Sequence, residues 1–404
     1  MIGGGASGLM AAVTAAGEAH ARHLNIAIDV YEANDRVGKK ILVTGNGRCN
    51  LSNMSVSVDD YYGDTGLFEE IYPLFDRSAS LSFFRNCGLY TCCDDAGRIY
   101  PSSKKSASVL DALMYECARS DVHLHVDTKI ESIQKKDDGY LLNGKYYADY
   151  VILSVGGKAG AAKQHTDPVF AFLKEAGVRI APLYPALTAF TIADFPKSLK
   201  GVRAAGRLDL LRGGDVCASS QGEIQYAEYG ISGIAAMQLS SYANMNEIKS
   251  ENLFISADSL PDMQYNELRS HFEMMKKRRP DMPVPVFLTG LLPKALAWVF
   301  MKDASANEHT RLCDLTRRQE GILFACCKSK KYRIAGLRGF ENAQVMRGGI
   351  AASELTKKLE LRKLPGMFAC GEMLNINGDC GGYNLQWAWT SGAVAGKNCI
   401  GEIG

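Results

Sequence analysis

The sequence predicts an α/β fold in which a parallel-sheet domain is split along the chain by an inserted β module that itself carries helices. Three observations predict it. Gly3-Gly4-Gly5-Ala6-Ser7-Gly8 runs straight into an apolar, alanine-rich stretch from Leu9 to Ala21. Strand-like and helix-like segments then alternate to about Pro185, as an α/β layer requires. After a middle section of different character, residues 349–404 return to the first pattern.

The opening glycines fit GxGxxG, the start of a dinucleotide-binding βαβ unit. Gly3 allows the tight strand-to-helix turn, Gly5 lets the backbone approach a pyrophosphate, and Gly8 lets the helix pack on the sheet. Amides at the start of the helix then face the anion. Only Met1 and Ile2 precede the glycines, whereas a first strand usually has about five residues. Either the start is truncated or the first strand is unusually short. Asn25 to Glu32 (NIAIDVYE) reads as the next strand. Its terminal Glu32 stands where such units set a carboxylate on the ribose hydroxyls, the alternative being an ordinary strand-end acid.

Leu110 to Arg119 reads as a helix, His123 to Val126 and Lys129 to Ile133 as strands, and Asp137-Asp138-Gly139 as a turn. Tyr147 to Val155 is a continuous apolar strand emptying into Gly156-Gly157-Lys158, which suits a parallel sheet whose carboxyl edge faces a ligand. Beyond it, β-type runs at Leu187–Ile192, Ala205–Leu211, Glu223–Tyr226 and Leu253–Ser256 suggest a small antiparallel unit. Nested in it are helical patterns at Met263–Lys277, Pro293–Val299 and Arg317–Cys327, with a proline-rich turn from Pro280 to Pro285. Near the end, Gly366 to Glu372 is a short strand. A second glycine-rich loop, Gly378-Asp379-Cys380-Gly381-Gly382-Tyr383-Asn384-Leu385-Gln386, opens a helix-like run from Trp387 to Ala395.

Composition narrows the function. A chain of 404 residues suggests two or three domains, and a formal net charge of +2 without a basic stripe gives phosphate-backbone binding little support. Lys276-Lys277-Arg278-Arg279 reads as a solvated helix end. With no charged leader and no long apolar run, the expectation is a soluble cytoplasmic protein that neither spans a membrane nor binds nucleic acid. The twelve cysteines include no CxxC pair, which argues against a zinc ribbon, an iron–sulfur cluster and a thioredoxin-like couple. His123 and His125 share one strand face but lack a third ligand, so no metal is expected. Neither GxSxG nor a Walker A string occurs.

A dinucleotide with two ends needs two reception points, and one glycine-rich loop lies near each end of the chain. The first suits a pyrophosphate. The second, with its helix amides, suits the electron-rich edge of a reduced flavin ring, which favours FAD over NAD as the tightly held cofactor. Arg48 could place positive charge near the ring or on a substrate carboxylate, or act as a structural clamp. Cys49 and Cys380 lie in the glycine-rich loops and are the candidate reactive thiols. Tyr383, Trp387 and Trp389 either wall the pocket or belong to the core.

Several long strings carry a family resemblance: GGGASGL and VGKKILVTGNGRCNLSN within Met1–Asn53, GRIYPSSKKSASVLDAL at Gly97–Leu113, GISGIAAMQLS at Gly230–Ser240, FENAQVMRGG at Phe340–Gly349, and GDCGGYNLQWAWTSGAVAG within Pro365–Gly396. The chain resembles a bacterial family of NAD(P)/FAD-dependent oxidoreductases, the aminoacetone-oxidase-like flavoproteins, which includes a proposed bile-acid 7-dehydroxylation reductase. The resemblance implies a FAD-binding Rossmann domain in two parts, 1–186 and 349–404. Between them it implies a β-barrel-like insert (187–262, with a return strand at 331–348) and a helical subdomain (263–330). It also implies FAD contacts at Gly3, Gly5, Ala6, Ser7, Gly8, Glu32, Lys39, Lys40, Gly45, Asn50, Ile130, Glu372, Asp379, Asn384 and Leu385. One departure stands out: AGAAKQHTDP after Lys158 lacks the family's aromatic-Pro and Gly-Ser-Thr-Gly-Asp-Gly pattern, which puts specificity in question.

The expected activity is therefore that of a FAD-dependent oxidoreductase acting on a small or medium organic substrate. In the absence of a second GxGxxG, NAD(P)H is expected as a transient donor. The alternatives are a FAD-dependent oxidase of a small amine using dioxygen, and a non-catalytic flavin-binding or regulatory protein.

Overall fold

The computed structural model describes residues 1–160, 166–243, 248 and 252–402. They form two compact units, one of residues 1–185 and 344–404, the other of residues 186–343.

The first unit is built on a parallel sheet flanked by helices. Ile28–Tyr31 pairs with Val122–His125, and Val151–Leu153 pairs with Met367–Ala369. Ile2 bridges the two pairs, making parallel contacts to both Tyr31 and Leu153. The backbone here is held on both sides: Ile2 N donates to Ile152 O at 2.9 Å and Gly3 N to Tyr31 O at 2.8 Å. The helix Ala6–Ala21 follows at once and is buried along most of its length, with Leu9, Met10, Ala11 and Ala12 fully enclosed. Such an alanine-rich helix has a slim profile that lets a second backbone come close. The C-terminal helix, Tyr383–Gly401, takes advantage of it, laying Gly392 on Ser7 and Gly396 on Ala11. Burying the large side chains of this core, such as Leu9 and Met10, is worth about 1.5–3 kcal/mol each. The helix Ser106–Arg119 covers the same layer through Val109, Leu110 and Leu113.

The second unit is a closed six-stranded antiparallel barrel. Its strands run in the order Phe190–Ile192, Gly230–Ser232, Asp215–Ala227, Arg203–Arg212, Leu253–Asp258, Lys330–Leu337, and Phe190 closes the ring by pairing with both Ile231 and Leu337. Period-2 alternation explains the interior: Leu208, Leu210, Ile224, Tyr226, Ile255 and Ile334 are buried, while Arg207 pairs outside with Asp209 at 2.9 Å. The helices Tyr265–Arg278, Val284–Thr289, Lys294–Asp303 and Arg317–Ser329 lie between the last two barrel strands in sequence. A capping box of Thr316 with Gln319 starts the last of them.

The α/β class, the Rossmann-type domain divided in sequence, and the barrel with its helices are thus the fold the chain adopts. Some elements differ from the sequence reading. Lys129–Ile133 is not a strand: the Asn143 side chain takes the Glu131 and Ser132 amides and donates to Lys129 O, so a side chain replaces the ladder and the strand begins at Ile133. Tyr147–Val155 breaks at Asp149. Tyr146–Ala148 joins a three-stranded antiparallel sheet, and only Val151–Leu153 enters the parallel one. The Pro280–Pro285 segment turns into a helix at Val284, since a proline in the first helical turn gives up no needed donor. The C-terminal helix starts at Tyr383, four residues before Trp387, with Gly382 as its left-handed N-cap. Lys276 is drawn out of the solvated basic run by Glu320, 2.6 Å away. No described helix is long and apolar enough to cross a membrane.

Candidate dinucleotide site

Everything that follows lies in the first unit. The turn from Ile2 into the helix is held by Ser154, whose hydroxyl donates to Gly3 O at 2.8 Å and Ile2 O at 3.0 Å. Gly3 adopts φ +104 with Ser154 O directly beneath it, and a side chain at Gly8 would strike Gly3 O. At Gly5 the opposite holds: no heavy atom lies within 4 Å of where a Cβ would stand. Gly5 is the helix N-cap, offers no capping side chain, and the first turn holds no carboxylate. The leading amides are thus open toward free space, the geometry an anion needs.

Glu32, 8% exposed, reaches back to this turn. Its Oε2 accepts from Gly4 N at 2.9 Å, and its Oε1 accepts from Asn34 N at 2.8 Å and Asn34 Nδ2 at 2.6 Å. A carboxylate offers about four acceptor sites, so one stays open. Thr128 N donates to Glu32 O at 2.8 Å, which brings the irregular segment containing buried Ile130 alongside.

The strings GNGRCNLSN and GDCGGYNLQWAW, more than 300 residues apart in sequence, are laced together by buried polar bonds. Ser52 Oγ donates to Gln386 Oε1 at 2.7 Å, Asn53 Nδ2 to Gly381 O at 3.0 Å, and Trp389 Nε1 to Leu51 O at 3.0 Å. Gln386 passes the network on to Ser80 Oγ at 2.9 Å and Thr390 Oγ1 at 3.0 Å. Asn384 closes the second loop, accepting from Gly378 N and donating to Gly378 O and Asp379 O. Asp379 Oδ1 accepts from Tyr62 OH at 2.7 Å. Burial raises the Asp379 pKa, partly offset by that hydrogen bond. The C-terminal helix that follows has Gly382 as N-cap, no capping side chain and no acid in its first turn.

Two links join the glycine turn to these loops. Gly371 N donates to Ser391 Oγ at 2.9 Å, while Gly371 itself lies against the Ser7 hydroxyl. Lys40 Nζ meets Glu372 Oε2 at 2.6 Å, and Glu372 Oε1 accepts from Met346 N at 2.8 Å. Lys39, by contrast, turns to Asp35 on the surface, and Leu385 packs into the apolar core. Gly45 and Asn50 lie in one tight loop in which Gly45, Asn46, Gly47 and Cys49 all take positive φ. Residues 161–165 of the divergent AGAAKQHTDP stretch lie outside the described residues.

The donor set fits a flavin dinucleotide. Asn50 Oδ1 is buried without a hydrogen-bond partner, close to Gly382, and Asn377 Nδ2 and Trp387 Nε1 are likewise without partners. An unmet buried polar atom costs about 1–3 kcal/mol. Together with two uncapped helix starts, these are places where a polar ligand gains what the protein leaves open. Ser52, Asn53, Gln386 and Ser154 were not among the residues singled out from the sequence. Their signal was polarity inside otherwise apolar or glycine-rich runs.

The thiols are placed differently. Cys49 is fully buried and its pKa is pushed up to about 12 by desolvation, as are those of Cys117, Cys370 and Cys399. Burial also raises the Cys380 pKa, opposed by Arg98. A thiol raised from 9 to about 12 has roughly a thousandfold less thiolate near neutral pH. Iodoacetamide at about pH 8 should therefore modify exposed Cys93 and Cys313 in the native protein while Cys49 stays unmodified. Peptide mass mapping checks this, and early labelling of Cys49 would show that its loop opens. Trp389, fully buried against Phe84, belongs to the core, and Trp387 packs on Phe68.

Comparison with known proteins supplies relatives across the whole chain. The family described as HI0933-like protein Rossmann domain matches residues 1–398. A 3-dehydro-bile acid delta(4,6)-reductase of Clostridium scindens is 34% identical over 406 residues, covering 98% of this chain and 97% of that protein. A ribosomal RNA dihydrouridine synthase of Escherichia coli is 25% identical over 409 residues, covering 99% and 97%. Among solved structures, a flavocytochrome c3 fumarate reductase in its open conformation aligns with a TM-score of 0.48 at 14% identity, covering 99% of this chain and 77% of that one.

Proposed function

The chain belongs to the HI0933-like Rossmann-domain family, and from that premise we propose that it is a cytoplasmic FAD-dependent reductase. On this reading it takes electrons from NADH or NADPH and saturates a carbon–carbon double bond conjugated to a carbonyl in a small or medium organic substrate. The observation that carries the reading is the pair of uncapped helix starts, at Gly5 and Gly382, held in one unit with the buried, unpartnered Asn50 Oδ1 between the laced loops. The substrate class is supported by the two relatives. Both names describe reduction of a double bond adjacent to a carbonyl, in a dienone in one case and in a uracil ring in the other.

When bound, FAD supplies hydride transfer from nicotinamide to the electron-poor carbon of the double bond. The residues of this chain do the rest. Gly5 to Gly8 would present amides to the diphosphate, Glu32 would accept from the ribose, and Lys40 holds Glu372 in place. The start of the C-terminal helix would favour negative charge on the flavin ring. Asp379, its pKa raised by burial and its carboxylate tied to Tyr62, stands in the loop beside that helix start.

The test is anaerobic. The purified protein is expected to be yellow, to bleach with NADH or NADPH, and to regain colour when an enone steroid acid is added, with saturated product formed. A colourless protein that takes up no FAD overturns the cofactor reading. Peroxide from an amine in air would turn it toward an oxidase, and reduction of ribosomal uridine without enone turnover would turn it toward RNA.

A further inference from the structure

We propose that Arg48 anchors a carboxylate carried by the substrate, so that the enzyme selects organic acids over neutral molecules bearing the same double bond. This rests on the reading of the site given above. The argument begins with what Arg48 lacks. Its guanidinium is exposed, and its interactions are a hydrogen bond from Nε to Gly45 O at 3.2 Å and a stack over the Tyr100 ring at 5.1 Å. Among the described residues no carboxylate pairs with it. The neighbouring cation differs: Arg98, on the strand beneath, is neutralised by Asp94 at 2.9 Å. Of the two guanidinium groups near Tyr100, Arg48 is therefore the one with its charge unspent.

It is also held in place before any ligand arrives. The positive φ values of Gly45, Asn46, Gly47 and Cys49 fix the loop in a conformation few sequences adopt, and the fully buried Cys49 side chain pins the next residue to the core. Tyr100 is only 3% exposed, so the surface on which the guanidinium rests is rigid. A flexible arginine gives up much of its binding energy on ordering. This one has already been ordered by the protein. With Nε engaged, its two terminal NH2 groups remain, and they form the planar fork that matches a carboxylate.

Its position gives the cation a purpose. Arg48 lies two residues from Asn50, whose Oδ1 would stand 2.8 Å from a Cβ on Gly382, and the Tyr100 ring under its guanidinium lies against Gly45, so the cation sits on the loop that meets the second glycine-rich string at the proposed ring site. A purely structural clamp would bury its cation or pair it. A group that serves the diphosphate would lie with Gly5 and Glu32, whereas Arg48 rests on Gly45 O and the Tyr100 ring.

The experiment compares an enone bile acid with its methyl ester, which keeps the reacting double bond and removes the charge. Wild-type enzyme is expected to prefer the acid by about 10- to 100-fold in kcat/KM, mostly through KM, the range a charge-assisted bidentate contact supports. In R48M that preference should fall to near unity. R48K, which keeps the charge and loses the planar fork, should retain a preference about 3- to 10-fold smaller than wild type, and it serves alone if R48M does not fold. FAD affinity, followed by flavin fluorescence, should be the same in all three. An undiminished preference in R48M, or none in a yellow wild-type protein, overturns the proposal. So does weakened FAD binding in R48M, which would assign Arg48 to the cofactor. Arg48-dependent competition by uridine monophosphate stronger than by the acid would make the anion a phosphate and defeat the carboxylate. A wild-type protein that takes up no flavin overturns the cofactor reading and this proposal with it.

Discussion

Alanine at Gly392 or at Gly396 should each destabilise the protein by about 2–3 kcal/mol, because the added methyl group meets backbone and not a side chain that can move. A Cβ at Gly392 would strike Ser7 O, and one at Gly396 would strike Ala11 O. Neither atom can give way without separating the C-terminal helix from the helix Ala6–Ala21. Gly17 is the control. It lies in that same N-terminal helix, and no heavy atom stands within 4 Å of its missing Cβ. There alanine removes only backbone freedom and should stabilise by about 0.5–1 kcal/mol. Thermal melts separate the cases by sign: a fall of roughly 4–12 °C for each C-terminal variant and a small rise for G17A. Equal, small effects at all three positions would mean that the two helices pack less closely than described. Because Ser7 and Ala11 follow the opening glycines, G392A should also loosen FAD retention more than its loss of stability alone explains.

Gln386 to leucine is expected to cost about 2–4 kcal/mol, although leucine nearly fills the same space. Gln386 is fully buried, accepts from Ser52, and donates to Ser80 and Thr390. Leucine leaves those hydroxyls facing a hydrocarbon. Thr390 is spared the worst, because its hydroxyl also donates to Phe75 O at 2.7 Å. Ser52, itself buried, has no such second partner for its hydroxyl among the described residues. Adding S52A to Q386L should therefore recover part of the loss, since removing both members of a buried pair is cheaper than removing one. Denaturant unfolding of the two single variants and the double variant checks this. Strict additivity would show that the bond between the two strings contributes little.

What the sequence disclosed follows from how local each signal was. The glycine turn, the alanine-rich helix and the strand ending at Glu32 were legible because turn chemistry and hydrophobic periodicity act over a few residues. The barrel strands Arg203–Arg212 and Leu253–Asp258 were legible for the same reason, though their closure through Phe190 was not, since pairing Phe190 with both Ile231 and Leu337 depends on distant chain. Tyr147–Val155 was misread as one strand because both halves are apolar. The break at Asp149 appears only when their different pairing partners are known. At the site, Glu32 and Lys40 were named from their strings. The partners they found, Gly4 and Glu372, come from tertiary geometry. Asn53 and Gln386 carry the lacing of the two loops, yet polarity inside an apolar or glycine-rich run does not say which distant partner the side chain meets.

The sheet of the first unit needs Met367–Ala369 beside Val151–Leu153, whereas every barrel strand falls between Phe190 and Leu337. On the ribosome the barrel can close while the nucleotide-binding layer still waits for its last strand and helix. A nascent chain arrested once Leu337 has left the exit tunnel but Met367 has not should thus present a protease-resistant core next to a pliable N-terminal half. Stalling there would strand an apolar half-sheet in the open, making the stretch from Gln344 onward the vulnerable interval in this protein's synthesis.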